Sequence, residues 1–329
     1  MSKVTIVVTP RERFSCTIRS LESLYQYTTI PFELIYVDGN SPSKVKRYLA
    51  KQAHQRKFHH LRTDYYLSPN RARNLGLKFV RTKYVVFVDN DVIVSPGWLS
   101  QLVQCAEETS ATVVGPLMCQ YEPVHEIVHF AGGESHIFRD VKGRRRLREK
   151  MYLQGKKVAD VRDRLKRQET ELAEFHCILV KTSIFERIGY LDEAMLNTKE
   201  HLDFCLQVRA AGEKIYFEPN CVVTYVPGPP LALTDLPYYM LRWSDAWVLN
   251  SLQRLREKWN LAEDSYFTRK YQGLGWRRRD SIIHPLTLAL TFGRMNASLE
   301  NLLTRIDKKF NRYLTDRYAR KHLNGVKRS

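Results

Sequence analysis

The sequence predicts an α/β fold in which a mostly parallel sheet is covered by helices. Short apolar runs rich in β-branched residues recur along the first 114 residues and are typical of buried strands: 4–9, 32–37, 84–88 and 112–114. Segments with apolar residues at helical spacing alternate with these runs: 15–25, 43–55, 70–80 and 97–109. Alternation of this kind is the pattern of a parallel sheet built from strand–helix–strand units.

The later elements follow less regularly. A hairpin is expected from 126–130 and Ile137, with Gly132-Gly133 as its turn, and the basic run 144–167 favours an exposed helix. Further strands are predicted at 175–180 and 215–226 with a helix at 203–211, and a helical tail follows several prolines from residue 238. We therefore expect a catalytic domain at 1–230, a basic helical insertion at 139–168 and a basic helical extension at 231–329.

Composition narrows the class of protein. The chain has 329 residues, of which 43% are hydrophobic, enough for one large domain with an appendage. Six scattered cysteines without CxxC spacing are expected to be free thiols. The amino-terminal segment has no signal-peptide pattern, and the apolar stretch 282–292 is too short to span a membrane. These features lead us to expect a cytoplasmic protein.

The net charge of +18 is confined to two segments. Residues 139–168 and 276–329 each carry 13 Lys/Arg and 4 Asp/Glu, so the rest of the chain is neutral. Such segments attract nucleic acid, anionic lipid or anionic polymers by the same physics, or simply aid solubility. Nucleic acid is disfavoured, because the first segment has Tyr152 alone among its cations instead of interleaved aromatic residues.

Polar residues follow three of the predicted strands. They are Thr9 with Glu12 nearby, Asp38 with Gly39-Asn40, and Asp89-Asn90-Asp91. Ligands of open α/β sheets bind at the carboxyl ends of strands. Buried carboxylates need a compensating cation, and the sequence places no Lys or Arg beside Asp89 and Asp91. These two residues therefore favour a Mn²⁺ or Mg²⁺ site, although a simple turn carboxylate is an open alternative.

The order of motifs resembles the family 2 glycosyltransferases, which have the GT-A fold. The resemblance is carried by VTIVVTPRER, LIYVDGNS, PNRARNLGLKFVRTKYVVFVDNDV, HFAGG, VKTSIFERIGYLDE and KEHLDFCLQVRAAG, which cover residues 3 to 226.

This resemblance implies a nucleotide-sugar donor and an inverting transfer with uridine diphosphate or a similar leaving group. It implies that Thr9 and Asp38 border the nucleobase and that Arg73 approaches the nucleotide. It also implies that Asp89 and Asp91 bind ribose and the metal diphosphate. We count Glu12 and Asn90 with the donor-binding group because they flank the same strand ends.

The transfer needs a general base for the acceptor hydroxyl. Glu200 and Asp203 share one face of a helix start, where the family commonly has a Glu-Asp pair. This chain has His201 at the second position of that pair, so Glu200, His201 and Asp203 all stay candidates, with Glu200 first. Asp203 also fits a carboxylate that merely caps the helix dipole.

Two motifs point elsewhere. His125 to His129 matches HExxH, but a zinc protease needs that motif on a helix, whereas this run alternates like a strand. His129 is therefore expected to be structural or near the acceptor. The segment from Tyr239 to Trp243 is similar to the QxxRW signature of processive polymerases without its Gln. Arg242 is a candidate for the diphosphate, and core packing of Trp243 and Trp247 is the alternative.

Two functions stay open from the sequence. One is transfer of a single sugar to a glycan or lipid-linked acceptor, and the other is RNA or membrane binding by a degenerate transferase core. The tail adds apolar residues at helical spacing with cations beside them: Leu299, Leu302, Leu303, Ile306, Phe310, Lys308, Lys309 and Arg312. This pattern predicts either peripheral contact with an anionic membrane at its inner face or packing onto the protein.

Overall fold

The computed structural model describes residues 3–227 and 230–322. Its centre is a ten-stranded mixed sheet flanked by helices, and a separate two-stranded sheet lies beside it. The strands are β1 (Val4–Thr9), β2 (Glu33–Gly39), β3 (His59–Thr63), β4 (Tyr84–Asp89), β5 (Val92–Val94), β6 (Val113–Gln120), β7 (Ile127–Phe130), β8 (Gly133–Arg139), β9 (Arg145–Met151), β10 (Gln168–Thr170), β11 (Cys177–Lys181) and β12 (Ile215–Tyr225).

The helices cover most of the intervening chain. They are α1 (Thr17–Tyr27), α2 (Ser43–Arg56), α3 (Pro69–Leu77), α4 (Trp98–Thr109), α5 (Val158–Val161), α6 (Ile184–Ile188), α7 (Glu200–Ala210), α8 (Leu236–Arg242), α9 (Asp245–Lys258), α10 (Ser265–Gln272), α11 (Trp276–Arg278), α12 (His284–Leu290) and α13 (Ala297–His322). A 3₁₀ turn occupies Arg162–Arg164 and a π-helical turn occupies Arg279–Ile283.

The first half of the sheet is parallel, as the sequence predicts. Strands β3, β2, β1 and β4 lie side by side in that order. Strands β1 and β4 are buried throughout. Helix α3 packs closely on this half, and a Cβ added to Gly76 would lie 2.4 Å from Val7 Cγ1. Because the strands are parallel, Thr9, Asp38 and Asp89 meet at one edge of the sheet.

The second half is mixed. Strand β11 runs antiparallel between β4 and β6, and β12 runs parallel to β6. Cys177, at the start of β11, therefore pairs with Val88 near the end of β4. The residues immediately before β11 are thus brought to the same edge as the ends of β1 and β4.

The expected hairpin around Gly132-Gly133 is wrong. Strand β7 pairs with β6 in the large sheet, whereas β8 pairs with β9 in the small one. Gly132, with a φ of +82°, carries the chain from one sheet to the other. The physical reason is that β7 has an apolar partner in β6, so it is taken into the core.

The expected helix at 144–167 is also wrong for its first half. Residues 145–151 form β9, and helical turns occur only at Val158–Val161 and Arg162–Arg164. Leu147 is buried and its neighbours at Glu149 and Met151 are partly covered, so alternate residues of β9 face the protein. This period of two outweighs the high content of Arg and Lys, which are good helix formers.

The carboxyl-terminal helices continue the catalytic core. The main hydrophobic cluster includes Tyr238, Leu252, Leu255 and Phe267 together with the central strands. The Asp235 carboxylate accepts hydrogen bonds from the backbone N–H groups of residues 14 and 15, at 2.8 and 3.1 Å. None of the helices in the described part of the chain combines the length and apolar character needed to cross a membrane.

Candidate active site

A cavity of about 750 Å³ opens at the carboxyl ends of β1 and β4. Four of the residues predicted to bind the donor or to act as base line it: Arg73, Asp89, Glu200 and His201. His129, expected to be structural or near the acceptor, lines it too. Its other walls include residues that sequence reasoning did not assign to a site: Arg11, Glu149, Glu174, His176, Lys199, Trp243, Tyr266, Lys270, Trp276 and Arg277.

Asp89 lies beside two arginines and a histidine, contrary to the expectation that it has no cation nearby. Its carboxylate lies 3.4 Å from Arg11 Nε, 3.3 Å from Arg73 Nη2 and 3.1 Å from His176 Nδ1. Burial alone would raise the pKa of Asp89, but the close contact with His176 and the charges of the two arginines lower it. The sequence does not reveal this because the arginines reach Asp89 from β1 and α3.

Asp91 is in the opposite situation. It is fully buried, and neither of its carboxylate oxygens has a hydrogen-bond partner among the described residues. Burial, with Glu12 and Asp89 nearby, raises the pKa of Asp91 to about 8. Donor atoms of Asp89, Asp91 and His176 all lie within 4.8 Å of one another. A buried carboxylate without a partner beside two more donors fits a divalent cation.

A second group of possible metal donors shares His176. It consists of His129, Glu174 and His176, whose donor atoms also lie within 4.8 Å. Glu174 is approached by three imidazoles, with its oxygens 3.5 Å from His129 Nε2, 3.5 Å from His176 Nε2 and 3.7 Å from His201 Nε2. Burial and the charge of Arg11 lower the pKa of His176 to about 4, which favours the neutral form that binds metals.

Glu200 is held in place at the start of α7. One of its oxygens lies 3.5 Å from Arg242 Nη2 and 3.8 Å from Arg73 Nη1, and the other has no hydrogen-bond partner. Arg242 itself is fully buried, donates to the Arg11 carbonyl at 2.9 Å and is not part of the cavity wall. Arg242 thus contacts Glu200 from outside the cavity wall, and its contact with the diphosphate stays a prediction.

The other two base candidates differ in position. His201 lines the cavity, and its Nε2 has no hydrogen-bond partner. Asp203 does not line the cavity, and its carboxylate accepts hydrogen bonds from Lys258 Nζ at 2.7 Å and Trp259 Nε1 at 2.8 Å. Asp203 thus joins α7 to the end of α9, whereas Glu200 and His201 line the cavity, and the identity of the base stays a prediction.

Asp91 and four further candidates lie at the strand ends but outside the cavity wall. The Thr9 hydroxyl donates to Asp89 at 3.4 Å, and the Asn90 amide donates to the Arg13 carbonyl at 2.8 Å. The Glu12 carboxylate accepts from Trp243 Nε1 at 3.0 Å. Asp38 pairs with Arg62 and His60 and accepts from the Ser41 hydroxyl. These residues shape the site, and the nucleobase contacts of Thr9 and Asp38 stay a prediction.

Comparison with known protein families identifies the family to which this chain belongs. The sequence model described as "Glycosyl transferase family 2" matches residues 5–189, more than half of the chain. The chain belongs to glycosyl transferase family 2.

Two curated relatives are similar over two thirds of this family 2 chain. One is the uncharacterized protein y4gI of Sinorhizobium fredii, which is 28% identical over 222 residues. The other is the pre-mycofactocin glycosyltransferase of Mycobacterium tuberculosis, which is 26% identical over 224 residues. These matches cover 66% and 68% of the chain but only 23% and 42% of the relatives' own lengths.

A solved structure supports the fold of this family 2 chain. It is GalNAc-T7, crystallised with UDP, GalNAc and Mn²⁺. The two structures superpose with a TM-score of 0.51 and 14% sequence identity, over 86% of this chain and 57% of the other. The GT-A fold predicted from the sequence is therefore confirmed.

The main residues that sequence reasoning missed in this family 2 chain are Arg11, Glu174 and His176. The pair Glu174 and His176 comes directly before β11, and it reaches the site only because β11 pairs with β4. A signal was present, since two titratable residues flanking Phe175 at the start of an apolar strand are costly without partners. Arg11 follows Thr9 closely, and its guanidinium lies 5.5 Å from the centre of the Trp243 ring.

Proposed function

We propose that this protein is a metal-dependent, inverting glycosyltransferase. It moves one sugar from a nucleotide-diphosphate sugar, with UDP as the expected nucleotide, to a hydroxyl of a glycan or lipid-linked acceptor. The observation that carries the proposal is the buried carboxylate of Asp91, unpartnered and beside Asp89 and His176. The GT-A neighbour crystallised with UDP and Mn²⁺ supports this class of donor and metal.

The cation is assigned to Asp89, Asp91 and His176. Once bound, Mn²⁺ or Mg²⁺ supplies positive charge for the diphosphate as it leaves. Arg11 and Arg73 line the cavity beside these residues, and both already face Asp89. Their role is to add fixed positive charge where the leaving group becomes more negative, in a site from which bulk water is partly excluded.

Glu200 is proposed as the general base, with His201 as its rival. Inversion needs a base on the face of the sugar opposite the leaving diphosphate. The free oxygen of Glu200 belongs to a carboxylate whose other oxygen is fixed by Arg242 and Arg73. This arrangement orients the acceptor hydroxyl and receives its proton without moving the side chain.

The far wall of the cavity suits an acceptor that contains a sugar ring and an anionic group. Trp243, Tyr266 and Trp276 provide aromatic faces there. Lys270 and Arg277 provide positive charge on the same wall. Aromatic faces pack on the apolar faces of sugar rings, and the cations attract phosphate or carboxylate groups.

The experiment is calorimetric titration of UDP into the protein with Mn²⁺, with Mg²⁺ and with EDTA. Binding is expected to be tight only with a metal ion. At 100-fold saturation UDP and metal should stabilise the fold by about 2.7 kcal/mol. Asp91→Asn should abolish the metal effect, because it removes one charged donor.

His129→Gln is the matched control, since His129 belongs to the second donor group only. It should keep metal-dependent UDP binding if the ion is held by Asp89, Asp91 and His176. Loss of binding in His129→Gln with binding intact in Asp91→Asn would place the cation at the second group. Equal UDP affinity in Mn²⁺ and in EDTA would refute metal dependence. If the protein hydrolyses none of the nucleotide-sugars tested, that result would count against transferase activity.

A further inference from the structure

Helix α13 presents a row of apolar residues to solvent and a row of polar residues to the protein. Leu302, Ile306 and Phe310 follow one another at intervals of four, and they are 53%, 54% and 52% exposed. Asp307, Asn311 and Thr315 follow at the same interval and are buried. The two rows lie roughly 140° apart, because each residue advances a helix by about 100°.

The buried row is fixed by specific contacts. The Asp307 carboxylate pairs with the fully buried Arg278 at 3.0 Å, and the Asn311 amide donates to the Met240 carbonyl at 2.7 Å. The Tyr318 ring packs on Trp247 with centroids 6.0 Å apart. These contacts set the rotation of the helix, so the apolar row cannot turn inward without breaking a buried ion pair.

The exposed apolar surface extends beyond α13. Of the fifteen exposed large hydrophobic side chains in the described ranges, nine lie between residues 276 and 313. Besides the row on α13 and Tyr313, they include Trp276, Leu286, Leu290, Phe292 and Met295, and Phe292 is 96% exposed. We call these nine residues together the apolar face; helix α12, which carries Leu286 and Leu290, contacts α13. Concentrated exposure of this kind marks an interaction site rather than random surface composition.

Positive charge borders the apolar face. Arg305, Lys308, Lys309 and Arg312 are exposed on α13, and Arg294 precedes the helix. An apolar row flanked by cations is the pattern of a helix that lies in the plane of an anionic membrane surface. A two-fold dimer through this face would instead bring the same cations of two copies together, which opposes self-association.

We propose that the apolar face is a docking surface for an anionic lipid bilayer. The apolar side chains enter the boundary between headgroups and acyl chains, and the bordering Lys and Arg side chains bind anionic headgroups. Trp276 belongs to both the apolar face and the cavity wall. Docking would therefore bring the cavity close to the bilayer, where an acceptor anchored by a lipid would be within reach.

The test is flotation of the full-length protein with lipid vesicles. The wild-type protein is expected to float with vesicles of phosphatidylcholine and phosphatidylglycerol, to float poorly with phosphatidylcholine alone, and to be released as salt is raised. Phe310→Asp should reduce flotation strongly. Tyr190→Asp is the matched control, since this aromatic residue is 57% exposed and lies outside the face.

The contribution of charge is tested with two triple variants. Lys308→Gln/Lys309→Gln/Arg312→Gln should lower the partition coefficient about a hundredfold, since each near-surface cation contributes about fivefold. Lys142→Gln/Lys156→Gln/Lys157→Gln removes the same charge from exposed positions of the other basic segment and should have little effect.

Two results would overturn the proposal. One is equal flotation of Phe310→Asp and Tyr190→Asp. The other is a wild-type dimer in lipid-free solution, measured by light scattering, that Phe310→Asp converts to a monomer, because a second copy would then cover the face. Neither measurement needs a nucleotide-sugar, so failure here is distinguishable from failure of the proposed transferase activity.

Discussion

Two aspartates two positions apart in one sequence motif occupy different electrostatic environments. Asp89 is paired with Arg11, Arg73 and His176, which keep its pKa low. Asp91 has no hydrogen-bond partner among the described residues, and burial with neighbouring carboxylates raises its pKa to about 8. Pairs of titratable groups whose environments separate their pKa values are typical of sites with assigned chemical roles. Here they separate a residue that organises the site from one that needs a cation.

Glu200→Gln tests the assignment of the base. The substitution keeps the size of the side chain but removes the proton acceptor, so kcat should fall by about 10² to 10⁴. The UDP affinity should change little if Glu200 acts on the acceptor hydroxyl, as proposed. The measurement is steady-state kinetics with a donor that the wild-type protein turns over.

His201→Gln and Glu186→Gln complete this test. Glu186 is exposed on α6 and its variant should match the wild-type rate. His201→Gln should cost less than Glu200→Gln. If kcat falls strongly in His201→Gln but not in Glu200→Gln, the base is the imidazole of His201 instead.

At the scale of single residues, the sequence identified the carboxylates but not their partners. Asp89, Asp91 and Glu200 stand out in the sequence because burying an acidic residue next to an apolar run is costly unless its charge is compensated. The residues around His176 and Arg11 in the sequence do not indicate that either side chain contacts Asp89. Their importance arises from the pairing of β1 with β4, whose partners are 80 residues apart in the chain, and of β11 with β4, whose partners are 89 to 97 residues apart.

Among the elements, β9 of the small sheet is tied to α7 and α10 by a buried ion pair and a hydrogen bond. The Glu149 carboxylate accepts hydrogen bonds from Lys199 Nζ at 2.8 Å and from the Tyr266 hydroxyl at 2.6 Å. Burial alone would raise the pKa of Glu149, but Lys199 and then His201 lower it to about 2. This pair joins β9, α7 and α10 around the acceptor side of the cavity.

Stability should therefore depend on pH through Glu149. Because its pKa is lower in the folded state than its ordinary value of 4.5, its contribution is complete above pH 4.5 and is lost as the pH falls towards 2. A shift of this size corresponds to about 3 kcal/mol. The difference in unfolding free energy between wild-type and Glu149→Gln proteins should be largest near neutral pH and should shrink below pH 4.5.

Urea denaturation across this pH range measures the effect, with the exposed Glu126→Gln as the control. The control should run parallel to wild type at every pH. A constant difference between wild-type and Glu149→Gln proteins down to pH 2 would show that the carboxylate is not stabilised in the folded state.

The elements that the sequence predicted well are those with a strong local period. Strands β1, β2 and β4 and helices α1, α2 and α4 are close to their predicted bounds because each is apolar on one or both faces. Strand β9 was missed because Arg and Lys dominate its composition, and its alternation rests on Leu147, Glu149 and Met151 alone. The composition of this segment favours a helix, but the ion pair of Glu149 with Lys199 and the packing of Leu147 and Met151 stabilise the strand.

At the scale of the whole molecule, the carboxyl-terminal region is attached to the catalytic core through buried charge. Arg278 is fully buried and contacts Asp307 of α13 and Asp245 of α9, each at 3.0 Å. It also donates to the Trp243 carbonyl. Trp243 lines the cavity, and its carbonyl accepts from the same Arg278 that holds α13. The attachment of α13 is therefore connected to the cavity wall through Trp243. The domain boundary at residue 230 stays a prediction.

Asp307→Ala should destabilise the protein by about 3 kcal/mol, the lower end of the range for breaking a buried ion pair, because Asp245 still faces Arg278. The expected readouts are a lower midpoint in chemical denaturation and faster proteolytic cleavage within 297–322. Asp316→Ala, at an exposed position of the same helix, is the control and should leave both unchanged. Equal stability of the two variants would contradict a structural role for the Arg278–Asp307 pair.

The position of β11 between β4 and β6 has a consequence for how the chain folds. Strand β4 ends at Asp89, and its neighbour on one side comes from residues 4–9 while its neighbour on the other comes from residues 177–181. Contacts between such distant segments reduce the conformational entropy of the intervening chain before they contribute favourable energy. They therefore form slowly. The Asp89 carboxylate acquires His176 only after the chain has been synthesised past β11, and Glu200 acquires Arg242 later still. The catalytic centre is therefore among the last parts of the molecule to assemble, and an incomplete chain exposes its charges to water instead of burying them.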